Sequence, residues 1–190
     1  KNKPLHPNDD VNKCQSTNDT FPAAIQISVA KEINNKLFNS IDKIHESLER
    51  KKEAWKSFIK IGRTHFQDAV PMTYGQEISS WSDQIKQSKE SILKSLEDLY
   101  HLPLGGTAIG TGINCPPTFS EQTIRILSQE TNLPFKKSEN YFSLMSSHDR
   151  LANIMSQLKN LACALFKISN DIKILSSGPR SGIYELLIPQ

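Results

Sequence analysis

A chain of 190 residues, 37% apolar and 23% charged, can bury a real core and is too hydrophobic to stay disordered. Its 23 basic and 20 acidic side chains leave a formal charge of only +3, and no basic run exceeds Arg50-Lys51-Lys52, which argues against a nucleic-acid partner. No apolar stretch approaches the roughly 20 residues of a membrane span, and Cys14, Cys115 and Cys163 have neither disulfide-scaffold nor zinc spacing, so the composition reads as a soluble cytosolic globular protein.

The first feature along the chain is polar. His6-Pro-Asn-Asp-Asp-Val-Asn-Lys-Cys-Gln-Ser-Thr-Asn-Asp19 carries hydrogen-bonding side chains at almost every position. It reads either as a solvated loop ending in a helix cap at Asn18, Asp19 or Thr20 ahead of Pro22, or as a set of neutral donors. Ser16, Thr17 and Asn18 beside a helix N-terminus would suit a carboxylate or phosphate. Helical periodicity follows, with Ile33, Leu37, Ile41, Ile44 and Leu48 spaced by threes and fours.

A second polar cluster runs from Gly62 to Glu77. Within it His65 lies between Thr64 and Gln67, neighbours able to fix the tautomer and orientation that a general acid or base needs. Pro71 precedes the next helix, with Ile78, Trp81, Ile85, Ile92, Leu96 and Leu99 on one face. Leu104-Gly-Gly-Thr-Ala-Ile-Gly-Thr-Gly-Ile-Asn114 is glycine-rich but has no GxGxxG after a strand and no Gly-Lys-Ser/Thr ending. Its glycines are expected to permit tight backbone passage or a positive φ rather than to hold a nucleotide. A short helix is predicted over Ser120 to Glu130. His148-Asp149 then caps a last helix with an unbroken 3-4 alternation, Leu151, Ile154, Leu158, Leu161, Leu165, Ile168, Ile172 and Leu175. Ser176-Ser-Gly-Pro-Arg-Ser-Gly182 ends it as a C-cap and turn. His45 and His101 have no constellation and read as surface residues.

No strand-like alternation of useful length appears. Three helices are expected to exceed about 25 residues, and rods that long with narrow apolar seams need long partners. The expectation is therefore all-α, a long-helix bundle that self-associates. The chain opens on Lys1 rather than Met and stops at Pro189-Gln190, as expected of a middle segment of something longer.

The stretches HPNDDVNKCQSTND, GRTHFQDAVPMTYGQE, LGGTAIGTGIN and KISNDIKILSSGPRSG, in this order, resemble the internal motifs of the class II fumarase and aspartase branch of the fumarase/aspartase superfamily, and the resemblance runs from Lys3 to Pro189. It implies that residues 1–190 are the family's central helical domain, with the N-terminal domain, the GSSxMPxKxN serine loop and the C-terminal domain outside this sequence. It also implies a homotetramer whose active sites each draw on three subunits, and a dicarboxylate substrate, fumarate or L-malate. The implied reaction is the reversible anti hydration of fumarate to L-malate in the tricarboxylic acid cycle, with no cofactor and no metal. The expected compartment is the cytoplasm, with a mitochondrial one left open.

Carried over by position, His65 would be the proton donor or acceptor that works through a water, and Thr64 would contact the substrate carboxylate. Ser16, Thr17 and Asn18 align with a substrate-binding Ser-Ser-Asn, Thr17 keeping the hydroxyl. His6, Pro7, Asn8 and Asp9 align with a second dicarboxylate site. Lys13 to Asp19 and Asp68 to Met72 lean towards aspartases, whereas Gly105-Gly106 and Phe142 to Asp149 lean towards fumarases. The reading is fumarase, with aspartate ammonia-lyase as the alternative and a non-catalytic helical scaffold as the alternative of another class. Without the serine loop, the 190-residue piece alone is expected to be inactive.

Overall fold

A computed structural model describes residues 4–189, the side chains of Asn8 and Asp9 excepted. Long helices dominate, as the apolar spacing predicts. A π-helical turn at Pro7–Val11 leads to α1 (Thr17–Glu32), and a second π turn at Ile33–Leu37 joins it to α2 (Phe38–Ala54). A hairpin of β1 (Ile59–Thr64) and β2 (Gln67–Thr73) precedes α3 (Tyr74–Leu99). Then follow β3 (His101–Leu102), α4 (Phe119–Thr131), β4 (Lys136–Lys137), α5 (Tyr141–Ser146) and α6 (Asp149–Leu175).

Two of the three expected rods have the expected length, α3 with 26 residues and α6 with 27. The first is instead two helices of 16 and 17 residues. The π turn between them inserts an extra residue per turn and rotates the apolar stripe, so Ile33 and Ile41 are buried while Ile44 is 39% exposed. The start of α1 also differs from the expectation. Its cap is Ser16, whose Oγ accepts from the Asn18 amide, while the Asp19 side chain accepts from the Ser16 amide to close a capping box. Pro22 lies inside the helix rather than opening it. At α6 the expected cap is present in its backbone, since the His148 carbonyl accepts the Ala152 amide.

The chain forms two compact units. The first comprises Lys1–Leu37 and Leu93–Met155, the second Phe38–Ile92 and Ser156–Gln190. In the first, Ala23, Ala30, Leu96, Leu99, Leu102, Ile124 and Phe135 make the core. The Gln26 amide donates to the carbonyls of Leu99 and His101, tying α1 to the end of α3. The parallel pair β3–β4 matches His101 with Lys136 and Leu102 with Lys137, and His101 is half-buried there rather than on the surface. In the second unit, Ile78, Trp81 and Ile85 of α3 and Leu161, Ile168 and Leu175 of α6 are buried. Trp81 Nε1 donates to Asp171 Oδ2 at 3.0 Å, so an otherwise apolar contact also satisfies the indole.

The hairpin is the feature that the sequence pattern does not announce. Its strands are antiparallel, with Thr64 opposite Gln67 and an irregularity between Ile61 and Arg63. The inward side chains of β1 are Lys60 and Gly62, while Ile59 is 76% exposed. Polar and apolar positions are therefore inverted relative to an ordinary half-buried strand.

Candidate active site

On the first unit the helix-entry segment and the glycine-rich loop are laced together. Asp19 is fully buried. One carboxylate oxygen accepts the Ser16 amide at 2.9 Å, and the other accepts the amides of Gly105 at 3.1 Å and Thr107 at 2.9 Å. Three N–H donors hold this carboxylate in place of water, so its burial is satisfied. Gly105 has φ +97° and a Cβ there would sit 2.8 Å from the Ser120 Cβ, so both conformation and space require glycine.

Asn18 donates through Nδ2 to the Ala108 carbonyl at 2.7 Å, which fixes the plane of its exposed amide and leaves a second N–H for a ligand. Ser16, Thr17 and Asn18 thus share one turn at the N-terminus of α1. An open groove of about 560 Å³ begins at Asn18 and continues along Ala108, Ile109, Asn140, Phe142 and Ser143. Just upstream, the His6 amide donates to Asp10 Oδ2 and closes the Pro7–Val11 turn, with His6 and Pro7 exposed. The Asn8 and Asp9 side chains fall outside the described ones.

Thr64 and His65 belong to the second unit and sit at the tip of the hairpin, exposed to solvent. His65 and Phe66 form its two-residue turn with φ of +51° and +59°. Such turns favour Asn-Gly, because a Cβ at positive φ is strained. Two bulky residues held there are a local cost that the surrounding structure must impose, and imposed strain of this kind gathers at functional sites.

The restraint is ionic and lies just behind the turn. Lys60, its side chain 3% exposed, bonds to Glu77 at 2.6 Å and to Glu185 at 2.7 Å. Glu185 also holds Arg63 at 2.5 Å, one residue before Thr64. Burial opposes the charged form of Lys60, yet the carboxylates of Glu185 and Glu77 outweigh it and hold the amine above its ordinary range. Burial likewise pushes the Glu185 carboxyl up, and Arg63 and Lys60 together hold it below its ordinary range. Glu185 in turn raises the Arg63 guanidinium. A cavity of about 340 Å³ adjoins the network, lined by Lys60, Arg63, His65, Glu77 and Asp171 with Ile174 and Ile183 as apolar wall.

The sequence motifs point to Ser16, Thr17, Asn18, Thr64 and His65 but not to the groups that hold them. Asp19 had a signal in the Ser-x-x-Asp spacing of a capping box. Glu185 had none. Among the described residues no group of three or more His, Cys, Asp or Glu side chains is placed to hold a metal ion, and no helix is long and apolar enough to cross a membrane.

Comparison with known proteins adds a family to this geometry. The chain is 65% identical over 187 residues to the class II fumarate hydratase of Prochlorococcus marinus subsp. pastoris, covering 98% of this chain and 41% of that protein. It is 49% identical to that of Chlamydia caviae, again over 98% of this chain and 41% of the relative. The crystal structure of class II fumarase from Schistosoma mansoni superposes with a TM-score of 0.87 at 40% identity, covering 94% of this chain and 40% of that one. The chain thus spans about two fifths of the length of the relatives it matches. The family model described as lyase matches residues 1–190 throughout, and the chain belongs to that lyase family.

Proposed function

We propose that the full-length protein catalyses the reversible hydration of fumarate to L-malate, in the cytoplasm and as a step of the tricarboxylic acid cycle, and that this chain supplies its central helical part. The observation that carries the reading is the strained turn that presents Thr64 and His65 at an exposed hairpin tip, backed by a buried ion network. The names of the similar proteins support the choice of substrate.

Loss of a proton beside one carboxylate of malate creates a doubly charged aci-carboxylate. Fixed donors such as Asn18 and Thr64 stabilise that charge as it develops, each worth roughly 3 kcal/mol in sites of this kind. Departure of hydroxide needs a proton, which His65 delivers through a water. The serine base that the family resemblance implies lies outside this sequence, and the chemistry calls for no cofactor. His6, Pro7, Asn8 and Asp9 are read as a second dicarboxylate site.

The assembly we propose is a homotetramer in which Ser16, Thr17 and Asn18 of one protomer face Thr64 and His65 of another. Exposed Phe66 and Val70 on the hairpin and exposed Met155 and Phe166 on α6 support partner burial.

The test is the ultraviolet absorbance of fumarate formed by the full-length protein offered L-malate and L-aspartate separately. Fumarate from malate alone is expected. Fumarate from aspartate alone would instead establish aspartate ammonia-lyase, the second reading, which the Lys13 to Asp19 motif favours. His65→Asn is expected to lower kcat by about 100-fold or more with the oligomer intact. Unchanged turnover in that variant would remove His65 from the mechanism.

A further inference from the structure

The glycine-rich loop turns left-handed at Gly105, Gly110 and Gly112, with φ of +97°, +101° and +69°. Thr107 lies among them at φ +56°, where a β-branched side chain is a genuine outlier. It is 5% exposed, and its Oγ1 is buried with no hydrogen-bond partner among the described residues. Threonine therefore carries two costs here, a strained backbone and an unsatisfied hydroxyl, and glycine would carry neither. Strain that the surroundings impose in this way gathers at functional sites. The two groups that Thr107 stands between show what the strain holds. Its own amide donates to Asp19 Oδ2 at 2.9 Å, and the carbonyl of the next residue, Ala108, accepts Asn18 Nδ2 at 2.7 Å. Both partners lie in the first turn of α1, just after the Ser16 cap.

We propose that Thr107 is a positioning residue of the active site, whose narrow backbone well fixes the Ala108 carbonyl and so aims the free Asn18 N–H at a carboxylate of the bound dicarboxylate. The carboxylate contact rests on the function proposed above, while the hold on the loop does not. The dihedrals of Thr107 and Ala108 set where the Ala108 carbonyl stands relative to Asp19, and that carbonyl sets the plane of the exposed Asn18 amide. For a residue with a Cβ the left-handed well is only about 20° wide in φ and about 30° in ψ. Glycine takes positive and negative φ about equally, so at this position it would let the carbonyl, and the Asn18 amide with it, sample several directions. A donor preorganised toward developing charge is worth far more than one that must first be oriented. The Thr107 Cβ thus exchanges local stability for a fixed donor, and it acts on the chemistry only through Asn18.

The experiment compares Thr107→Gly with Thr107→Ala, which keeps the Cβ, in the full-length oligomer. Thr107→Gly should lower kcat/KM for L-malate about ten-fold, a part of the 10²–10³ lost when such a donor is removed outright, with the urea midpoint undiminished. Thr107→Ala should stay near the wild-type kcat/KM. In an Asn18→Ala background, Thr107→Gly should lower kcat/KM no further, because the residue through which it acts is gone. Hydrogen exchange followed by mass should be faster at the Gly105 and Thr107 amides in Thr107→Gly than in wild type. A urea midpoint that falls together with kcat/KM would make Thr107 a purely structural residue and overturn the proposal. Equal losses in the glycine and alanine variants, or a full additional loss in the Asn18→Ala background, would overturn it too. If wild type acts on neither malate nor aspartate, the proposed function fails, while exchange still decides the hold on the loop: unchanged exchange in Thr107→Gly overturns it.

Discussion

Replacing Glu185 by alanine separates an ion network that holds the hairpin from one that merely decorates it. Glu185 is the shared partner of Lys60 and Arg63, whose side chains are 3% and 22% exposed. Removing one member of a buried pair costs about 3–5 kcal/mol, because an uncompensated charge stays behind. Lys60 keeps Glu77, which places the expected loss at the low end, about 3 kcal/mol. With a urea m-value near 2 kcal/mol per molar, the midpoint falls by about 1.5 M. The matched control is Glu53→Ala, which breaks an ion pair with Lys56 exposed on both sides; its effect should stay within about 0.5 kcal/mol. Equilibrium urea denaturation at fixed protein concentration gives both numbers. Equal, small shifts for the two variants would refute the claim that the turn is held by buried charge.

The same variant carries a pH signature. The Glu185 carboxyl lies below its ordinary 4.5 when folded, so its contribution is complete above that value and is lost as pH falls through the lowered one. The Lys60 amine lies above its ordinary 10.5, so its contribution is complete below that value and is lost as pH rises through the raised one. The stability gap between wild type and Glu185→Ala should therefore be flat from about pH 5 to pH 10 and close at both extremes. A gap that closes near pH 7 would implicate a histidine instead.

Three further outcomes follow from the described geometry. Asp19→Ala leaves the amides of Ser16, Gly105 and Thr107 unpaired and should cost about 3 kcal/mol in denaturation; a loss below about 1 kcal/mol would show that water replaces the carboxylate. Phe66→Gly relieves a bulky residue at φ +59° and should stabilise the hairpin by about 1 kcal/mol, read as a raised urea midpoint; a lowered midpoint would mean that the ring contributes more than its backbone costs. Full-length His65→Asn and Asn18→Ala, each of low activity alone, should regain turnover when unfolded and refolded together, since hybrids would rebuild some sites from intact halves. No recovery in verified hybrid oligomers would place both residues in one protomer's site.

What could be read from the chain beforehand follows from how local each cause is. The faces of α3 and α6 were legible because burial repeats every three to four residues, and α4 lies within one residue of its expected bounds. The cap of α1 precedes the positions that Pro22 suggests, because the capping box formed by Ser16 and Asp19 decides it. The hairpin is hidden in the sequence for a different reason. Its buried positions are a lysine and a glycine, and its turn is His-Phe, so neither alternation nor turn composition marks it. Lys60 can face inward only because Glu77 and Glu185 are there to receive it. Glu185 comes from an irregular segment beyond α6, pinned by its own amide to the Leu175 carbonyl. A charge buried by partners this distant in sequence leaves no periodic trace.

The α6 seam bears most directly on how many chains a working site requires. Ile154, Leu161, Ile168 and Leu175, one every seven residues, are each at most 7% exposed. The alternate row, Leu151, Leu158, Leu165 and Ile172, is only half-buried, and Phe166 on the same helix is 72% exposed. A coiled-coil seam is stable when both rows are enclosed by facing helices. One chain encloses one row, and in the assembly we propose the second row packs against helices from other copies. The hairpin tip repeats the pattern on a smaller scale, with Phe66 and Val70 more than 70% exposed around the Thr64–His65 pair. If His65 is the acid–base residue we propose, its exposed hairpin tip becomes dry enough for strong electrostatics only once a partner covers it. The assembly is then part of the chemistry we propose: without it, Asn18 and Thr64 would meet the developing charge in water, where each hydrogen bond contributes little net.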